Sequence, residues 1–500
     1  MRRLARLAAR TPADRERYLD LLRGLAIIMV VLGHWTIATI YHNDRGQPDG
    51  HSALPEIPWA YPLTWAVQVM PLFFLVGGYA NAASLAAHRR RGGDATGWLL
   101  GRSARLLRPT TALVLVLAGG AFVGRLAGVD PSMVRTVVWF ATIPLWFLAA
   151  YFAVVPLTPP MYALHRRFGL AAPVALALLV AVGDLGRGLG PDWVALPNYL
   201  LGWLAIHQLG FAWYDARQGD CRHDRRRHDA RQGHRPPDRT PAGGRAGIRT
   251  RCLPMSRPAA LTMVAAGLTV AVLLTGPGPY PVNMISLPGE RLANAAPPSV
   301  ALLAVATAQL GVILLLRERA ERWLRRSRPW QAVIAVNSVV LTVFLWQLSA
   351  VVLLVGALNG LGVLPTPAAG SAAWLAWRLP WVLMLAVVLA GLVAVFGPIE
   401  ARTGRSIANR RPEHAGRGPA GGHGGTGRPR GDGRPAGRWA GVRGVLTVAG
   451  FAAVVFAMAA NSATAKTAPE PLGLPVAALL AYLAGAGTLR VLRSGWGSRG

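Results

Sequence analysis

Residues 19–34 read Leu19-Asp20-Leu21-Leu22-Arg23-Gly24-Leu25-Ala26-Ile27-Ile28-Met29-Val30-Val31-Leu32-Gly33-His34, an apolar segment that carries an arginine and a histidine. Arg23 and His34 are eleven residues apart, about three helical turns, so both side chains lie on one face, roughly 16 Å apart. Ionisable side chains in a membrane helix are costly and usually face a bundle interior or a cavity. The segment therefore predicts a membrane helix with a functional stripe, from a cation at the membrane surface to an imidazole near mid-bilayer.

The composition of the chain is typical of a polytopic membrane protein. Of its 500 residues, 53% are hydrophobic, and twelve apolar stretches are long enough to cross a bilayer. We expect an all-α bundle of about ten transmembrane helices, followed by two appended C-terminal helices. The predicted spans, of which 169–185 is the weakest, cover about residues 20–41, 62–86, 109–128, 137–163, 169–185, 194–213, 259–276, 298–316, 332–357, 373–398, 443–461 and 473–490.

The basic residues indicate the orientation of the chain. With the N-terminus in the cytoplasm, all but seven of the 53 basic residues fall on the inner side, which is the asymmetry that membrane proteins show. We therefore expect a multi-pass protein of the cell (plasma) membrane with both termini in the cytoplasm. The net charge of +31 does not indicate a nucleic-acid partner, because no base-reading element is visible in the sequence. The seven outer residues are Arg45, Arg125, Arg135, Arg187, Arg291, Arg378 and Lys466.

The chain divides into four predicted segments. A basic cytoplasmic segment, 1–18, precedes the membrane domain, 19–400, and a linker rich in Gly, Pro and Arg, 401–442, leads to the C-terminal unit, 443–500. The first apolar run is too long for a secretory signal and lacks a small-residue cleavage site, so we expect it to be a retained span. The linker and a basic loop at 214–258 lack apolar periodicity and are predicted to be flexible.

The basic loop contains five potential metal-ligating side chains: Cys221, His223, His228, His234 and Cys252. Their spacing matches no standard zinc pattern, so no metal site is expected, and we interpret the loop as a surface for anionic lipid headgroups. Its assignment to the cytoplasm also argues against a disulfide between the two cysteines.

Three motifs, in this order along the chain, resemble the membrane-bound acyltransferase 3 family. They are Tyr18-Leu19-Asp20-Leu21-Leu22-Arg23-Gly24-Leu25-Ala26 leading to His34, then Pro71-Leu72-Phe73-Phe74-Leu75-Val76-Gly77-Gly78-Tyr79, and Arg105-Leu106-Leu107-Arg108-Pro109. The resemblance covers about residues 15–400. It implies an integral membrane enzyme that moves an acyl group, often acetyl from acetyl-CoA, onto hydroxyls of glycans, lipids or small molecules at the cell envelope.

The chain departs from the family pattern at two positions. Gly77 stands where members commonly carry serine, a change that we expect to alter packing only. Leu345-Trp346-Gln347 stands where many members have a histidine, so a titratable group is lost there. Some members also append a soluble lobe, whereas residues 443–490 predict only two more spans. The acceptor is therefore expected to reach the membrane unit itself or a separate protein.

The resemblance makes His34 the candidate catalytic residue, as a general base or as a transient acyl carrier. Taking a proton from an alcohol near neutral pH suits the pKa of histidine. The alternative is a structural histidine that is hydrogen-bonded to a neighbouring helix.

Arginines are expected to bind the phosphates of the donor, because a guanidinium can bind phosphate through two hydrogen bonds. Arg105 and Arg108, together with Arg23 at the mouth of the cavity, are the candidates. The alternative is that they only anchor the cytoplasmic surface, which is the role that we assign to Arg102. Pro109 is expected to disfavour helical geometry at Arg108.

Other polar residues are weaker candidates. Asp20 is the expected i,i+3 partner of Arg23. In an outer loop, Glu290, Arg291 and Asn294 are candidates to meet the acceptor or to cap helices. Five side chains are candidates to line a cavity or to join helices by hydrogen bonds: Asp20, Tyr79, Asn198, His207 and Asn337.

The expected partners are membrane lipids, a glycan or glycolipid acceptor, and acyl-CoA, most simply acetyl-CoA, as the donor substrate. No permanently bound cofactor is expected. Two other functions stay open: a transporter or flippase whose polar path includes Arg23 and His34, and a scaffold that recruits partners through its basic loops. Thioester consumption that depends on His34 separates the enzyme from both.

Overall fold

Helices dominate the computed structural model, which describes residues 16–218, 252–408 and 437–494. Among these residues, eleven helical segments are long and apolar enough to cross a membrane. The protein is an all-α polytopic membrane protein, as predicted. Its helices are α1 Arg17–Ile37, α2 Thr64–Val67, α3 Met70–Arg90, α4 Ala95–Leu126, α5 Pro131–Thr142, α6 Leu145–Phe168, α7 Ala171–Leu189, α8 Asn198–Gln218, α9 Arg257–Thr275, α10 Val300–Leu324, α11 Ser327–Asn337, α12 Val340–Gly360, α13 Ala372–Ala408, α14 Gly437–Ala463 and α15 Val476–Arg493.

Helix α8 is enclosed by its neighbours α3, α6 and α7. Nearly every residue from Gly202 to Asp215 is buried. A helix buried on all sides can carry polar residues that lipid would not tolerate, and α8 carries Asn198 and His207, both fully buried. The sixth predicted span, 194–213, is therefore a helix but is not among the eleven apolar segments.

Helix α3 crosses α8 at two glycines. A Cβ atom on Gly78 would overlap the carbonyl oxygen of His207, and one on Gly210 would overlap the carbonyl oxygen of Leu75. Small residues let membrane helices approach until their backbones touch. The crossing explains the second glycine of the Gly77-Gly78 pair and brings α3 side chains beside His207.

Helix α1 ends earlier than predicted. It stops at Ile37, and an antiparallel hairpin follows, in which β1 (Ala38–His42) pairs with β2 (Pro48–Ser52). The predicted span 20–41 is wrong at its end because Thr39, Ile40 and Tyr41 favour extended structure and find a partner strand. Two 3-10 turns and α2 then lead to α3, and the second apolar segment, Pro58–Arg90, contains the predicted span 62–86.

Two predicted spans are each divided into two helices. The stretch 137–163 is broken at residues 143–144 between α5 and α6, and the stretch 332–357 is broken at residues 338–339 between α11 and α12. The hydropathy does not show either break. Pro144 is the N-cap residue of α6 at the first break. At the second break, Glu400 of the distant helix α13 accepts hydrogen bonds from the first residues of α12.

Helix α4 is longer than the predicted span 109–128. It begins at Ala95, because the side chain of Asp94 caps the helix by accepting a hydrogen bond from the Gly97 N–H at 3.0 Å. It continues through the buried Pro109, contrary to the expectation for Arg108. A proline inside a membrane helix is tolerated when neighbouring groups satisfy the freed backbone.

The C-terminal helices α14 and α15 are fastened to the membrane domain by Arg135 of α5, which is fully buried. Its guanidinium donates to the side chain of Asn461 at 2.9 Å and to the carbonyl oxygens of Asn461, Thr464, Ala465 and Gly473 at 2.8–3.2 Å. All these acceptors lie at the end of α14 or in the connection to α15. Arg135 thus holds the connection between α14 and α15.

Further contacts join the C-terminal pair to the bundle. Lys466 forms an ion pair with Asp49 of β2 at 2.7 Å, and the hydroxyls of Thr111 and Tyr482 lie 2.9 Å apart. Phe451 also packs on Phe152, with ring centroids 5.6 Å apart.

Parts of the predicted segments lie outside the described residues. These are 1–15 of the N-terminal segment, 219–251 of the basic loop, with Cys221, His223, His228 and His234, 409–436 of the linker, and 495–500 of the C-terminal unit. Helix α13 continues past residue 400 to Ala408. Cys252 is disulfide-bonded, so the expectation of reduced cysteines is wrong. That expectation rested on the assigned compartment, which carries no information about the distance between two thiols.

Candidate active site

His34 lies in the last turn of α1 and contacts α12. Its Nδ1 is 3.3 Å from Oε1 of Gln347. The next residue, Trp35, donates its indole N–H to the backbone carbonyl of Gln347 at 3.1 Å. Gln347 is fully buried, whereas His34 is partly exposed. The position where the chain lacks the family's histidine therefore faces the candidate catalytic residue.

The contact fixes the tautomer of His34. An amide oxygen only accepts hydrogen bonds, so Nδ1 carries the proton that it donates to Oε1 of Gln347. Nε2 of the neutral ring then keeps a free lone pair, which is the state that a base or a nucleophile needs.

His34 lies close to the end of α1. The imidazole lies four residues before the start of β1, because α1 ends at Ile37. Arg23 remains eleven residues away, roughly 16 Å along the helix. The two ends of the predicted stripe are thus near opposite ends of α1.

Arg23 forms the expected ion pair with Asp20, with 3.5 Å between Nη1 and Oδ1. Its side chain is 36% exposed, so the pair leaves part of the guanidinium accessible. Asn337 of α11 donates to the backbone oxygen of Asp20 at 2.8 Å and thereby joins α11 to α1. Asp20 and Asn337 therefore support Arg23 and the packing of α1.

Helix α4 presents Arg102, Arg105 and Arg108 at intervals of three residues. Arg105 and Arg108 are exposed, and Arg102 is partly buried. The positive charges of Arg102 and Arg23 repel the positive charge of Arg105. Two helices therefore gather three guanidinium groups in one region, which we call the arginine cluster: Arg23, Arg102 and Arg105.

Arg102 begins a buried chain of polar side chains. Its Nη2 donates to the hydroxyl of Tyr151 at 3.2 Å, and that hydroxyl lies 3.5 Å from Oδ1 of Asn81. Nδ2 of Asn81 lies 3.1 Å from Nε2 of His207 and 3.4 Å from the hydroxyl of Thr158. Asn81, Thr158 and His207 are fully buried.

Most of these polar side chains are not predicted from the sequence. Arg102 is expected there only as a surface anchor and His207 as a cavity candidate, and Tyr151 and Asn81 are not among the candidates. A signal was present, because an asparagine inside an apolar span usually faces other helices. The structure joins His207 to Arg102 through four helices and does not place it beside His34.

Tyr79 lies in an aromatic cluster of α3 and α8. Its ring centroid is 5.7 Å from that of Trp213 and 5.5 Å from that of Tyr214, and the residue is buried. Nearby, the carboxylate of Glu16 binds both Arg217 of α8, at 2.9 Å, and Arg317 of α10, at 3.0 Å. This end of the bundle is closed by packing and ion pairs around Tyr79.

Asn198 belongs to a buried network near the opposite end of α8. It donates to Asp184 at 3.1 Å and to the carbonyl oxygen of Val180 at 3.0 Å. Asp184 also accepts from the hydroxyl of Tyr280 at 3.0 Å and from the N–H of Val300 at 2.8 Å. The network joins α7, α8 and α10, so Asn198 acts there as a link between helices.

The candidate acceptor residues hold the loop 276–299 together and attach it to the end of α7. Glu290 accepts from the N–H of Leu287 at 3.1 Å, and Arg291 donates to the carbonyl of Gly190 at 3.4 Å. Asn294 is fully buried and donates to the carbonyl of Asn283 at 2.7 Å. Arg291 is exposed, whereas Asn294 is enclosed.

A comparison with known families matches residues 16–397 of the chain to an acyltransferase domain, that of the acyltransferase 3 family. The chain belongs to the acyltransferase 3 family. The match covers α1 to most of α13, including His34, Gln347 and the arginine cluster, and α14 and α15 lie beyond it. No curated protein and no solved structure matches the chain. The acyltransferase 3 domain and the apolar helices together make the protein a multi-pass membrane acyltransferase.

Proposed function

We propose that the protein transfers an acyl group, most simply acetyl, from a cytoplasmic acyl-CoA to a hydroxyl of an envelope glycan, glycolipid or small molecule. The observation that carries this proposal is the 3.3 Å contact between Nδ1 of His34 and Oε1 of Gln347. It leaves Nε2 of a partly exposed imidazole ready to accept a proton.

As a general base, His34 acts on the acceptor hydroxyl. Nε2 takes the hydroxyl proton while the oxygen attacks the thioester carbonyl, and the C–S bond then breaks. The leaving CoA thiolate takes the proton back from the imidazolium, so the ring returns to its starting state. As a transient acyl carrier, the same Nε2 lone pair would attack the thioester carbonyl, and the C–S bond would break with release of the CoA thiolate. The acceptor hydroxyl would then take the acyl group from Nε2 and give its proton to the thiolate.

The arginine cluster supports an anionic donor. Arg23 has Asp20 as its carboxylate partner, whereas Arg102 and Arg105 form no ion pair with a carboxylate in the described part of the chain. Like charges held close together favour an anion that neutralises them, and phosphates match the guanidinium geometry. Arg108, exposed one turn beyond Arg105, provides a further cation for the same ligand.

The orientation of the protein follows from its charge pattern. With the N-terminus and C-terminus in the cytoplasm of a plasma-membrane protein, the arginine cluster faces the cytoplasmic donor. His34 then lies toward the outer end of α1, just before the hairpin. The roughly 16 Å along α1 between Arg23 and His34 would be spanned by the extended pantetheine arm of the donor. The acceptor would approach from the hairpin side.

The proposal is tested by supplying labelled acetyl-CoA to the purified protein in lipid nanodiscs with an extract of envelope lipids and glycans. We expect release of free CoA and label in an ester of the extract. Mass spectrometry of envelopes from cells with and without the gene should show the same acetyl ester only in the former. Movement of an unaltered solute, without thioester consumption, would contradict the proposal and favour a transporter.

A further inference from the structure

Tyr151 lies between the arginine cluster and the bundle interior. Its hydroxyl accepts a hydrogen bond from Nη2 of Arg102 at 3.2 Å and lies 3.5 Å from Oδ1 of Asn81, to which it donates. A hydroxyl that accepts on one side and donates on the other is fixed in direction. Tyr151 therefore holds one side of the Arg102 guanidinium.

The ring of Tyr151 reaches this position because residue 77 has no side chain. A Cβ atom on Gly77 would lie 2.9 Å from Cε2 of Tyr151, which is closer than real Cβ atoms approach other carbons. The ring also packs near Phe74 and Phe147, with centroids 6.2 Å and 6.3 Å away. Any larger residue at position 77 must push the ring, and with it the hydroxyl, away from its present place.

The inner end of the polar chain keeps Tyr151 from turning. Because Oδ1 of Asn81 accepts from Tyr151, its Nδ2 donates to Nε2 of His207, which must then be the unprotonated nitrogen. Asn81 and His207 are fully buried at the crossing of α3 and α8. The direction of every hydrogen bond from His207 to Arg102 is thus determined by a rigid part of the bundle.

The positive charges around Arg105 indicate what this arrangement binds. Arg102 and Arg23 both act on Arg105 as like charges, and three cations in one region are unfavourable without an anion. A surface anchor would extend toward lipid headgroups, whereas Arg102 is partly buried and hydrogen-bonded inward. The contacts describe a guanidinium that is held ready for a ligand.

We propose that Tyr151 is a positioning residue that holds Arg102 as a third phosphate-binding group of the acyl-CoA site, and that Gly77 makes room for it. This inference rests on the proposed donor. Arg102 then binds the donor and does not merely anchor the cytoplasmic surface.

The test measures the dissociation constants of acetyl-CoA and of adenosine 3′,5′-bisphosphate for the purified full-length protein. Tyr151→Phe removes the hydroxyl but keeps the ring, and should weaken both probes by the same factor, about tenfold, as for one hydrogen bond to a charged group. A merely structural change at the thioester end would weaken acetyl-CoA and leave the bisphosphate unaffected. Gly77→Ala should act in the same way as Tyr151→Phe.

Two controls match these variants. Tyr482→Phe removes a hydroxyl from the C-terminal pair, where it contacts Thr111, and Gly391→Ala adds a methyl group to a helical glycine with no atom within 4 Å. Both should bind the two probes like the wild type. In a double-mutant cycle, Arg102→Lys and Tyr151→Phe should not be additive, because both remove the same contact.

The outcomes separate this inference from the proposed donor. A wild-type protein that binds neither probe would overturn the acyl-CoA donor and the inference together. A wild-type protein that binds both probes, with Tyr151→Phe equal to it, would overturn only the positioning role. Additive effects of Arg102→Lys and Tyr151→Phe would also contradict that role.

Discussion

Nδ1 of His34 and Oε1 of Gln347 lie 3.3 Å apart, although 313 positions separate the two residues along the chain. The glutamine orients the imidazole and determines which nitrogen carries the proton. It does so without a second titratable group, at the position where many family members have a histidine. The chain therefore retains a defined tautomer of His34 through a neutral partner.

Gln347→Leu should lower kcat by about tenfold, because loss of the amide oxygen frees the imidazole to adopt the other tautomer. The free energy of unfolding should not fall, since Nε2 of Gln347 is buried without a hydrogen-bond partner among the described residues. The measurement is kcat beside the acetyl-CoA dissociation constant, which should not change. Ser349→Ala, two residues along the same helix, is the control. An unchanged kcat in Gln347→Leu would contradict the orienting role.

The pair of exposed arginines on α4 gives a second prediction. The Arg105→Lys, Arg108→Lys double variant keeps the charge but loses the guanidinium geometry, so acetyl-CoA binding should weaken about tenfold or more. The control is Arg89→Lys, Arg90→Lys, an exposed pair at the end of α3. If both double variants bind acetyl-CoA like the wild type, Arg105 and Arg108 are surface anchors only.

The buried hydrogen bonds of Arg135 predict a large loss of stability when this residue is replaced. Arg135→Ala leaves at least four carbonyl oxygens near the C-terminal pair without their donor and should lower the free energy of unfolding by roughly 3 kcal/mol or more. Thermal unfolding in detergent measures the change. Arg125→Ala is the control, because Arg125 is exposed and its described hydrogen bond is to the Val129 carbonyl alone. Equal melting temperatures for the two variants would contradict the fastening role.

The ion pair between Asp49 and Lys466 predicts a pH dependence. Burial alone would raise the pKa of Asp49, but hydrogen bonds from Lys466, the Gly50 N–H and Tyr41 lower it below its usual value. A carboxyl with a lowered pKa stabilises the fold above its unfolded pKa, about 3.9, and this stabilisation is lost as the pH falls through the folded pKa.

Asp49→Asn should therefore lower the melting temperature at pH 7, and its difference from the wild type should shrink once the pH falls below about 3.9. Melting curves across this range measure the effect. Asp44→Asn, an exposed carboxylate in the same hairpin, should show little change at either pH. A difference that is independent of pH would exclude the ionised Asp49 as its source.

The helices were largely predictable from apolar length, because a membrane span must satisfy its own backbone and bury few charges. Their ends and breaks were not. The start of α4 at Ala95 depends on the cap of Asp94, and the end of α1 depends on the pairing of β1 with β2. Helix α8 is not recognised as a span by its hydropathy, because it is surrounded by protein and not by lipid and can carry polar residues.

The candidate site was predictable only in part. His34, Arg23 and Arg105 lie in motifs with recognisable spacing. Gln347 and Tyr151 act through contacts between distant helices, and the pairing of such residues leaves no pattern in a single sequence. Asn198, Asn337 and Asn294 are polar residues in or beside spans, as predicted, but the structure places them in links between helices or within a loop.

The central claim is that His34 carries the proton or the acyl group, and His34→Gln tests it most directly. Glutamine keeps much of the volume and can still hydrogen-bond to Gln347, but it cannot take up a proton near neutral pH. The variant should insert, melt and bind acetyl-CoA like the wild type, while the rate of acyl transfer falls by roughly a hundredfold or more. A transfer rate near that of the wild type would contradict the account.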